Sequence, residues 1–177
     1  PRDLFDEHLE QHLKKTKASA VTRNKATFWC GDLNIAPEIS DSNVSVTNQR
    51  KCPSTTIGER TRHKRIRENL SLVSVGLTLQ TKPQPWTWKG SVPLDGLSRR
   101  RSHITMRIDD VLTSKEHIGI GASTPCVTRF ATTPETYGSD HRAILWHLSF
   151  NGQDLQPEEI ERWKLPLELD DEQKDSK

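Results

Sequence analysis

The sequence has few of the residues that mark secreted, zinc-binding or membrane proteins. Its three cysteines, Cys30, Cys52 and Cys126, are widely spaced and form no Cys-X-X-Cys pair, so we expect neither a disulfide framework nor a zinc site. No apolar run reaches the roughly 18 residues that a membrane span needs, and residues 1–4 lack the apolar stretch of a signal peptide. These absences predict a protein of a reducing, intracellular compartment with no membrane partner.

Methionine and apolar residues are also scarce. Met106 is the only methionine, so the chain does not begin with an initiator, and a piece of a longer protein explains this as well as removal of a first residue. The 177 residues suffice for one domain with a core. The hydrophobic share of 32% is low for a compact domain, which predicts that part of the chain is loop or tail.

Charge is distributed unevenly along the chain. Residues 151–177 contain nine acidic and four basic side chains, a net charge of −5. Because the whole chain carries +2, residues 1–150 carry +7. We therefore expect a basic domain over residues 1–150 and an acidic, mobile tail over 151–177. A basic body slightly favours a polyanionic partner such as nucleic acid.

Hydrophobic periodicity predicts alternating helices and strands. Phe5, Leu9 and Leu13 recur at every fourth position, as in an amphipathic helix. The expected helices span residues 3–15 and 59–70, with a helical turn near 158–163. The expected strands span 25–30, 86–88, 107–113, 126–130 and 142–150, and residues 38–58 and 89–103 are expected to be polar loops. This order predicts a layered α/β domain.

Three polar clusters lie at the ends of predicted strands. They are Gly31-Asp32-Leu33-Asn34, Arg107-Ile108-Asp109-Asp110 and Gly138-Ser139-Asp140-His141. Carboxylates beside buried strands are costly unless they pair or bind cations, and hard oxygen ligands suit Mg²⁺ or Mn²⁺. Each cluster alone is also typical of an ordinary turn or, for Arg107, of a strand-end ion pair. Together, and in this order, they favour a metal-dependent phosphoryl-transfer site.

These motifs resemble those of one known superfamily. The run from Gly31 to Ile39 resembles the GDLN segment of exonuclease III-like AP endonucleases, which belong to the endonuclease/exonuclease/phosphatase superfamily. Residues 86–88 resemble its aromatic-Thr-aromatic strand, 107–109 its Arg-X-Asp motif and 138–141 its closing GSDH motif. The resemblance covers about residues 3–150. It implies the C-terminal half of a four-layered α/β sandwich, in which a mixed, largely antiparallel sheet is flanked by helices.

The resemblance also implies chemical roles. Asp32 and Asn34 would orient or activate the attacking water, and Asp109 and His141 would form a hydrogen-bonded pair that faces a phosphoryl oxygen. Asp140 would bind Mg²⁺ or Mn²⁺, with Asp32 as a second carboxylate. The substrate would be DNA in base-excision repair, in the nucleus if the organism is eukaryotic. Contacts to the substrate would come from an apolar pocket and a basic loop, namely Trp88, Met106, Ile108, Arg99, Arg100 and Arg101.

Several positions depart from the family pattern and keep alternatives open. Met106 replaces an aromatic residue, Ser74 replaces an aspartate, and nothing before Asp32 matches the metal-binding Glu of the family's N-terminal half. The chain is therefore either a piece that needs that half as its partner, and is inactive alone, or a degenerate relative. Two other functions stay open: a related phosphoesterase of the tyrosyl-DNA phosphodiesterase or inositol phosphatase kind, and a non-catalytic remnant that binds nucleic acid or protein.

Overall fold

A computed structural model describes residues 2–23, 25–49, 52–79, 86–93, 101–133 and 138–160. The helices are α1 (Arg2–Thr22), α2 (Val46–Gln49), α3 (Ile57–Asn69) and α4 (Val75–Leu79). The strands are β1 (Trp29–Asp32), β2 (Val73–Ser74), β3 (Trp88–Pro93), β4 (Arg101–Met106), β5 (Asp109–Thr113), β6 (Cys126–Thr132) and β7 (Ile144–Ser149). Short 3₁₀ turns cover Ile39–Asp41 and Lys115–His117. The mixture of helices and sheets confirms the expected α/β class.

The strands form three antiparallel groups. β5 lies between β1 and β2, β3 pairs with β4, and β6 pairs with β7. The buried residues Val75, Val111 and Val127 form a core cluster against which Phe28 and Trp146 pack. This cluster joins β5, β6 and α4, so the strands that carry the polar clusters rest on one hydrophobic layer.

α3 begins where its sequence predicts a cap. The Thr56 hydroxyl accepts a hydrogen bond from the Glu59 backbone N–H at 3.3 Å, and the Glu59 carboxylate accepts one from the Thr56 N–H at 3.1 Å. This reciprocal capping box satisfies two N–H groups that the first turn leaves without helical partners. Ile66, which is 2% exposed, anchors the helix in a second core cluster with Leu70 and Leu72.

α1 is longer than its apolar periodicity indicates. It docks on α3 through polar contacts: Asp6, which is 2% exposed, accepts a hydrogen bond from Arg62 at 2.9 Å. Further along, Glu10 accepts one from Asn69 at 2.8 Å. Because charged residues supply much of this contact, the hydrophobic pattern alone does not reveal the helix's full length. No helix in the described ranges is long and apolar enough to span a membrane.

The prediction of a loop over residues 89–103 is wrong at both ends. β3 and β4 form a hairpin in which Trp88 lies opposite Met106 and Pro93 lies opposite Arg101. A two-stranded ladder needs only backbone groups and one buried face. Ile104 and Met106, which are 2% and 3% exposed, supply that face, and the basic composition concealed the alternation. Residues 94–100 lie outside the described ranges.

The loop expected over residues 38–58 is wrong where it includes α2, and only Trp88 of the strand expected over 86–88 belongs to a strand. The remaining element predictions differ at their ends. The strand expected over 25–30 is shifted to β1, β5 begins at Asp109 and not at Arg107, and β6 continues to Thr132. Residues 157–160 are helical, and the remainder of the expected turn lies outside the described part of the chain. Arg129 holds Asp154 through two hydrogen bonds of 2.8 and 2.7 Å, so the start of the acidic segment contacts β6. The expected mobility of residues 161–177 stays a prediction.

Candidate active site

Two carboxylates face each other across neighbouring strands. Asp32 ends β1, Asp109 begins β5, and the two are direct antiparallel partners. Their side chains are 34% and 12% exposed. Partial burial raises the pKa of Asp32 above its ordinary value, and the negative charge of Asp109 raises it further, against an opposing hydrogen bond from Asn34. A carboxylate of raised pKa is a stronger base than an ordinary one.

The turn after β1 fixes the Asp32 side chain. Asn34 adopts a positive φ of 53°, and its backbone N–H donates to Asp32 Oδ1 at 2.7 Å. Asparagine tolerates this left-handed conformation better than most residues. Leu33, which is 7% exposed, donates its N–H to the Ile108 carbonyl at 2.8 Å. The turn is thus tied to the segment that leads into β5.

His141 completes the cluster. Its Nδ1 lies 2.9 Å from Asp109 Oδ2, and its Nε2 lies 4.0 Å from Asp32 Oδ2. Burial alone would lower the pKa of His141, but the hydrogen bond to Asp109 and the charges of Asp109, Asp32 and Asp140 outweigh it and raise the pKa above 6.5. The imidazole therefore carries a positive charge over more of the neutral range than a free histidine does.

Asp140 lies beside this cluster on the loop before β7. Its Oδ2 accepts a hydrogen bond from Trp88 Nε1 at 3.0 Å, and this bond is the largest cause that lowers the pKa of Asp140. Its backbone carbonyl accepts from the Lys89 N–H at 2.9 Å, and Trp88 pairs with His141 in an isolated antiparallel bridge. The start of β3 therefore positions both Asp140 and His141.

Thr87 connects the segments that carry the site, and sequence reasoning gave it no role. The residue is 1% exposed, and its hydroxyl accepts hydrogen bonds of 3.0 Å from the backbone N–H groups of Ile108 and Asp109. Its backbone carbonyl accepts from the Arg142 N–H at 2.7 Å. The polar residue between Trp86 and Trp88 was the only signal of this role in the sequence.

A buried ion network supports the entry to β5. Arg107, which is 4% exposed, donates to Asp41 at 3.1 and 3.0 Å and to Asp110 at 2.9 Å. Asp110 also accepts a hydrogen bond from the hydroxyl of Ser74. The strand-end ion pair considered for Arg107 is present, with two partners. Because Asp109 and Asp110 are adjacent, this network fixes where Asp109 begins its strand.

The two candidate metal ligands are carboxylates that lie close to the His141 cluster. Asp32 and Asp140 offer the hard carboxylate oxygens that Mg²⁺ prefers. One oxygen of each already accepts a hydrogen bond, from Asn34 and from Trp88 respectively. Within the described ranges, no group of three or more His, Cys, Asp or Glu side chains is arranged to hold a metal ion. The donor type fits a hard dication, and the remaining ligands would have to be water, substrate phosphate or groups beyond these residues.

The residues predicted to contact the substrate differ in burial, and two of them lie outside the described part of the chain. Met106 and Ile108 are 3% and 6% exposed in a core cluster, and Trp88 packs against that cluster partly buried. Contact of Met106 or Ile108 with a sugar would require the cluster to open, so their substrate role stays a prediction. Arg101 begins β4, whereas Arg99 and Arg100 lie outside the described residues.

Comparison with known proteins identifies the fold. No protein-family model matches the sequence, and neither does any curated protein. Among solved structures, an AP endonuclease from Leishmania major matches with a TM-score of 0.61 and 22% identity over 82% of this chain. A 3′ phosphatase from Neisseria bound to a product DNA hairpin matches with a TM-score of 0.59 and 18% identity over 84%. An AP endonuclease from Archaeoglobus fulgidus matches with a TM-score of 0.51 and 19% identity over 81%.

These similarities show the fold of the chain. It has an α/β fold like that of the matched structures, which are two AP endonucleases and a Neisseria enzyme named both as a 3′ phosphatase and as a 3′–5′ exonuclease. The chain spans 43%, 55% and 54% of the lengths of the three neighbours described above. It therefore corresponds to about half of each of these folds.

Proposed function

We propose that this chain is the C-terminal half of a divalent-metal-dependent phosphodiester hydrolase that acts on DNA, of the AP endonuclease or exonuclease III type. The observation that carries the proposal is the cluster in which His141 is hydrogen-bonded to Asp109 and lies 4.0 Å from Asp32. Two of these residues come from paired strands and the third from a loop more than 30 residues further along the chain. The fold shared with DNA-processing enzymes supports the assignment.

Each residue has a distinct task in this proposal. Asp32, held by the Asn34 backbone and of raised pKa, orients the attacking water and accepts its proton. His141, oriented by Asp109 and of raised pKa, donates a hydrogen bond from Nε2 to a phosphoryl oxygen. A fixed positive donor aimed at an oxygen on which negative charge develops lowers the barrier.

A metal ion would supply the remaining electrostatic stabilisation. We assign Asp140 and Asp32 as the residues that would hold Mg²⁺ or Mn²⁺. The ion would neutralise charge on the phosphate. Because two carboxylates are few for a hard dication, we infer that the other half of the fold contributes a further ligand, and that residues 1–177 alone are nearly inactive.

A substrate panel tests the proposed function. The complete protein, with residues 1–177 joined to or mixed with the other half, is assayed in Mg²⁺ and in EDTA. The substrates are duplex DNA with an abasic site, duplex DNA with a 3′ phosphate, DNA with a phosphotyrosyl group, and an inositol phosphate. We expect Mg²⁺-dependent cleavage of the first. Preference for the phosphotyrosyl or inositol substrate would replace AP endonuclease activity with a related phosphoesterase activity, and binding without any cleavage would identify a non-catalytic remnant.

The 3′ phosphate substrate measures whether activity is directed to 3′ ends. One structural neighbour is described as a 3′ phosphatase, and Met106 stands where the family has an aromatic residue in the pocket for an extruded sugar. If the sugar pocket is altered in this chain, activity will shift from internal abasic sites towards 3′ ends. A higher kcat/KM for the 3′ phosphate than for the abasic duplex would establish that shift.

A further inference from the structure

Two positively charged side chains, those of Arg142 and Lys89, lie against the ring of Trp86 beside the candidate active site. The Arg142 guanidinium lies over this ring at 3.7 Å from the centroid, and the Lys89 ammonium lies at 5.8 Å. Stacking of this kind is a favourable cation–π contact that fixes the position of an otherwise mobile side chain. Three residues that are separated in sequence are thus brought to one place on the surface.

Backbone hydrogen bonds connect this group rigidly to the catalytic cluster. Arg142 follows His141 directly and donates its N–H to Thr87 at 2.7 Å, and Lys89 donates its N–H to the Asp140 carbonyl at 2.9 Å. Residues 86–89, which lead into the start of β3, therefore carry both the aromatic platform and the contacts that position Asp140. The backbone that carries the two cations is thereby held beside Asp140 and His141.

The charge of the site explains why such cations would be needed. Asp32, Asp109 and Asp140 place three carboxylates around a single histidine, and this group repels a polyanionic strand until cations offset it. Arg142 is half-buried and its Nε is enclosed, so the terminal N–H groups of the guanidinium, directed sideways by stacking on the indole, are the ones that can reach a phosphate. Lys89 is exposed and can approach a phosphate as a point charge.

We propose that Lys89 and Arg142, held on Trp86, form a binding subsite for the backbone phosphates next to the cleaved phosphate of a nucleic-acid strand. The subsite selects a strand with several phosphates over a small molecule with one. This inference rests on the proposed function, because it assigns the substrate class of the same site. Trp86 is a positioning residue that acts through the two cations.

The experiment separates the subsite from the catalytic cluster. Binding of a fluorescein-labelled DNA duplex is followed by fluorescence anisotropy between 50 and 300 mM salt, for the unmodified protein and for Lys89→Gln, Arg142→Gln and Trp86→Leu. Each lost phosphate contact lowers the slope of log affinity against log salt by about 0.9 and the affinity at 0.15 M salt by about fivefold. Trp86→Phe, which keeps an aromatic face, should restore most of what Trp86→Leu loses.

Lys25→Gln is the matched control for charge. Lys25 is exposed and precedes β1, at the opposite end of that strand from Asp32. The Lys25→Gln substitution removes one positive charge but should leave the slope of log affinity against log salt unchanged. Hydrolysis of bis(p-nitrophenyl) phosphate, which has a single phosphate, should have the same kcat/KM in the Lys25→Gln variant and in the unmodified protein. In the Lys89→Gln variant, kcat/KM for DNA should fall more than kcat/KM for this small diester.

The possible outcomes are distinguishable. If Lys89→Gln and Arg142→Gln both keep the full salt slope while the protein cleaves DNA, the subsite proposal is overturned and the proposed function stands. An equal loss on the small diester and on DNA would also overturn it, because the two residues would then act at the cleaved phosphate. If the unmodified protein neither binds DNA nor hydrolyses a diester, the proposed function fails and the subsite fails with it. Because Lys89 is exposed, its replacement should not disturb folding. The Lys89→Gln measurement therefore still tests the subsite if the Trp86 variants misfold.

Discussion

Replacement of Arg107 by methionine should destabilise this protein more than any comparable change at its surface. The substitution keeps a long side chain but removes the charge between Asp41 and Asp110, which are 9% and 1% exposed. Breaking a buried ion pair by removing one partner typically costs about 3–5 kcal/mol, since the other charge stays buried without compensation. Domains are stable by only about 5–15 kcal/mol, so the loss would be a large share of the total.

Arg129→Met provides the matched control. Arg129 makes the same kind of two-pronged contact, with Asp154 at 2.8 and 2.7 Å, but the two side chains are 30% and 23% exposed. Because solvent screens that pair, its loss should cost about 1 kcal/mol or less. The two ion pairs differ mainly in burial. The difference between the two losses of unfolding free energy therefore measures the effect of burial.

Urea unfolding followed by tryptophan fluorescence and by circular dichroism gives both free energies. For a domain of this size each kcal/mol lowers Tm by about 2–4 °C, so Arg107→Met should lower Tm by roughly 6–20 °C and Arg129→Met by a few degrees. If both variants lose the same free energy, or if Arg107→Met loses less than about 1 kcal/mol, the network does not support the entry to β5 in the way described above.

Three further predictions concern individual contacts. Thr87→Val should lower the free energy of unfolding by about 2–4 kcal/mol in urea titrations, because two buried backbone N–H groups lose their acceptor, whereas Thr87→Ser should lose much less. In NMR titrations the pKa of His141 should lie above 6.5 and should fall in Asp109→Asn, since the hydrogen bond and charge that raise it are weakened; an unchanged pKa would contradict the pairing. The pKa of Asp154 is lowered chiefly by its hydrogen bond from Arg129. The ion pair therefore stabilises the folded protein above the ordinary aspartate pKa of about 3.9, and this stabilisation is lost as the pH falls through the pKa of Asp154 in the folded protein. The stability difference between the unmodified protein and Arg129→Gln should therefore be present at pH 6 and should shrink in urea titrations as the pH falls below the ordinary aspartate pKa and through the lowered pKa of folded Asp154. A difference that does not change with pH would have another origin.

The sequence predicted the parts of the site that depend on local pattern. The turn of Asp32 and Asn34 and the Asp140-His141 pair were recognisable, because polar residues at strand ends stand out against the apolar runs beside them. Paired antiparallel strands then bring Asp32 and Asp109 together although they are 77 positions apart in the sequence. Prediction of this proximity required the fold that the motifs indicated.

Other features depended on contacts that no local pattern encodes. Asp41 lies in a polar segment that predicts only a loop, and its partner Arg107 is 66 positions away. The role of Thr87 arises from backbone groups 21 and 22 positions further on. The β3–β4 hairpin was mistaken for a loop because the basic residues of this stretch concealed the alternation in which Ile104 and Met106 form the buried face.

The most direct test of the central claim is the rate of Mg²⁺-dependent cleavage of an abasic DNA duplex by the complete protein and its site variants. Asp32→Ala and His141→Ala should each lower kcat by about a hundredfold or more, because each removes a group that acts mainly in the transition state, while DNA affinity changes little. Lys25→Gln should cleave at the unmodified rate. Full Mg²⁺-dependent cleavage in the Asp32→Ala and His141→Ala variants would show that the catalytic site lies elsewhere.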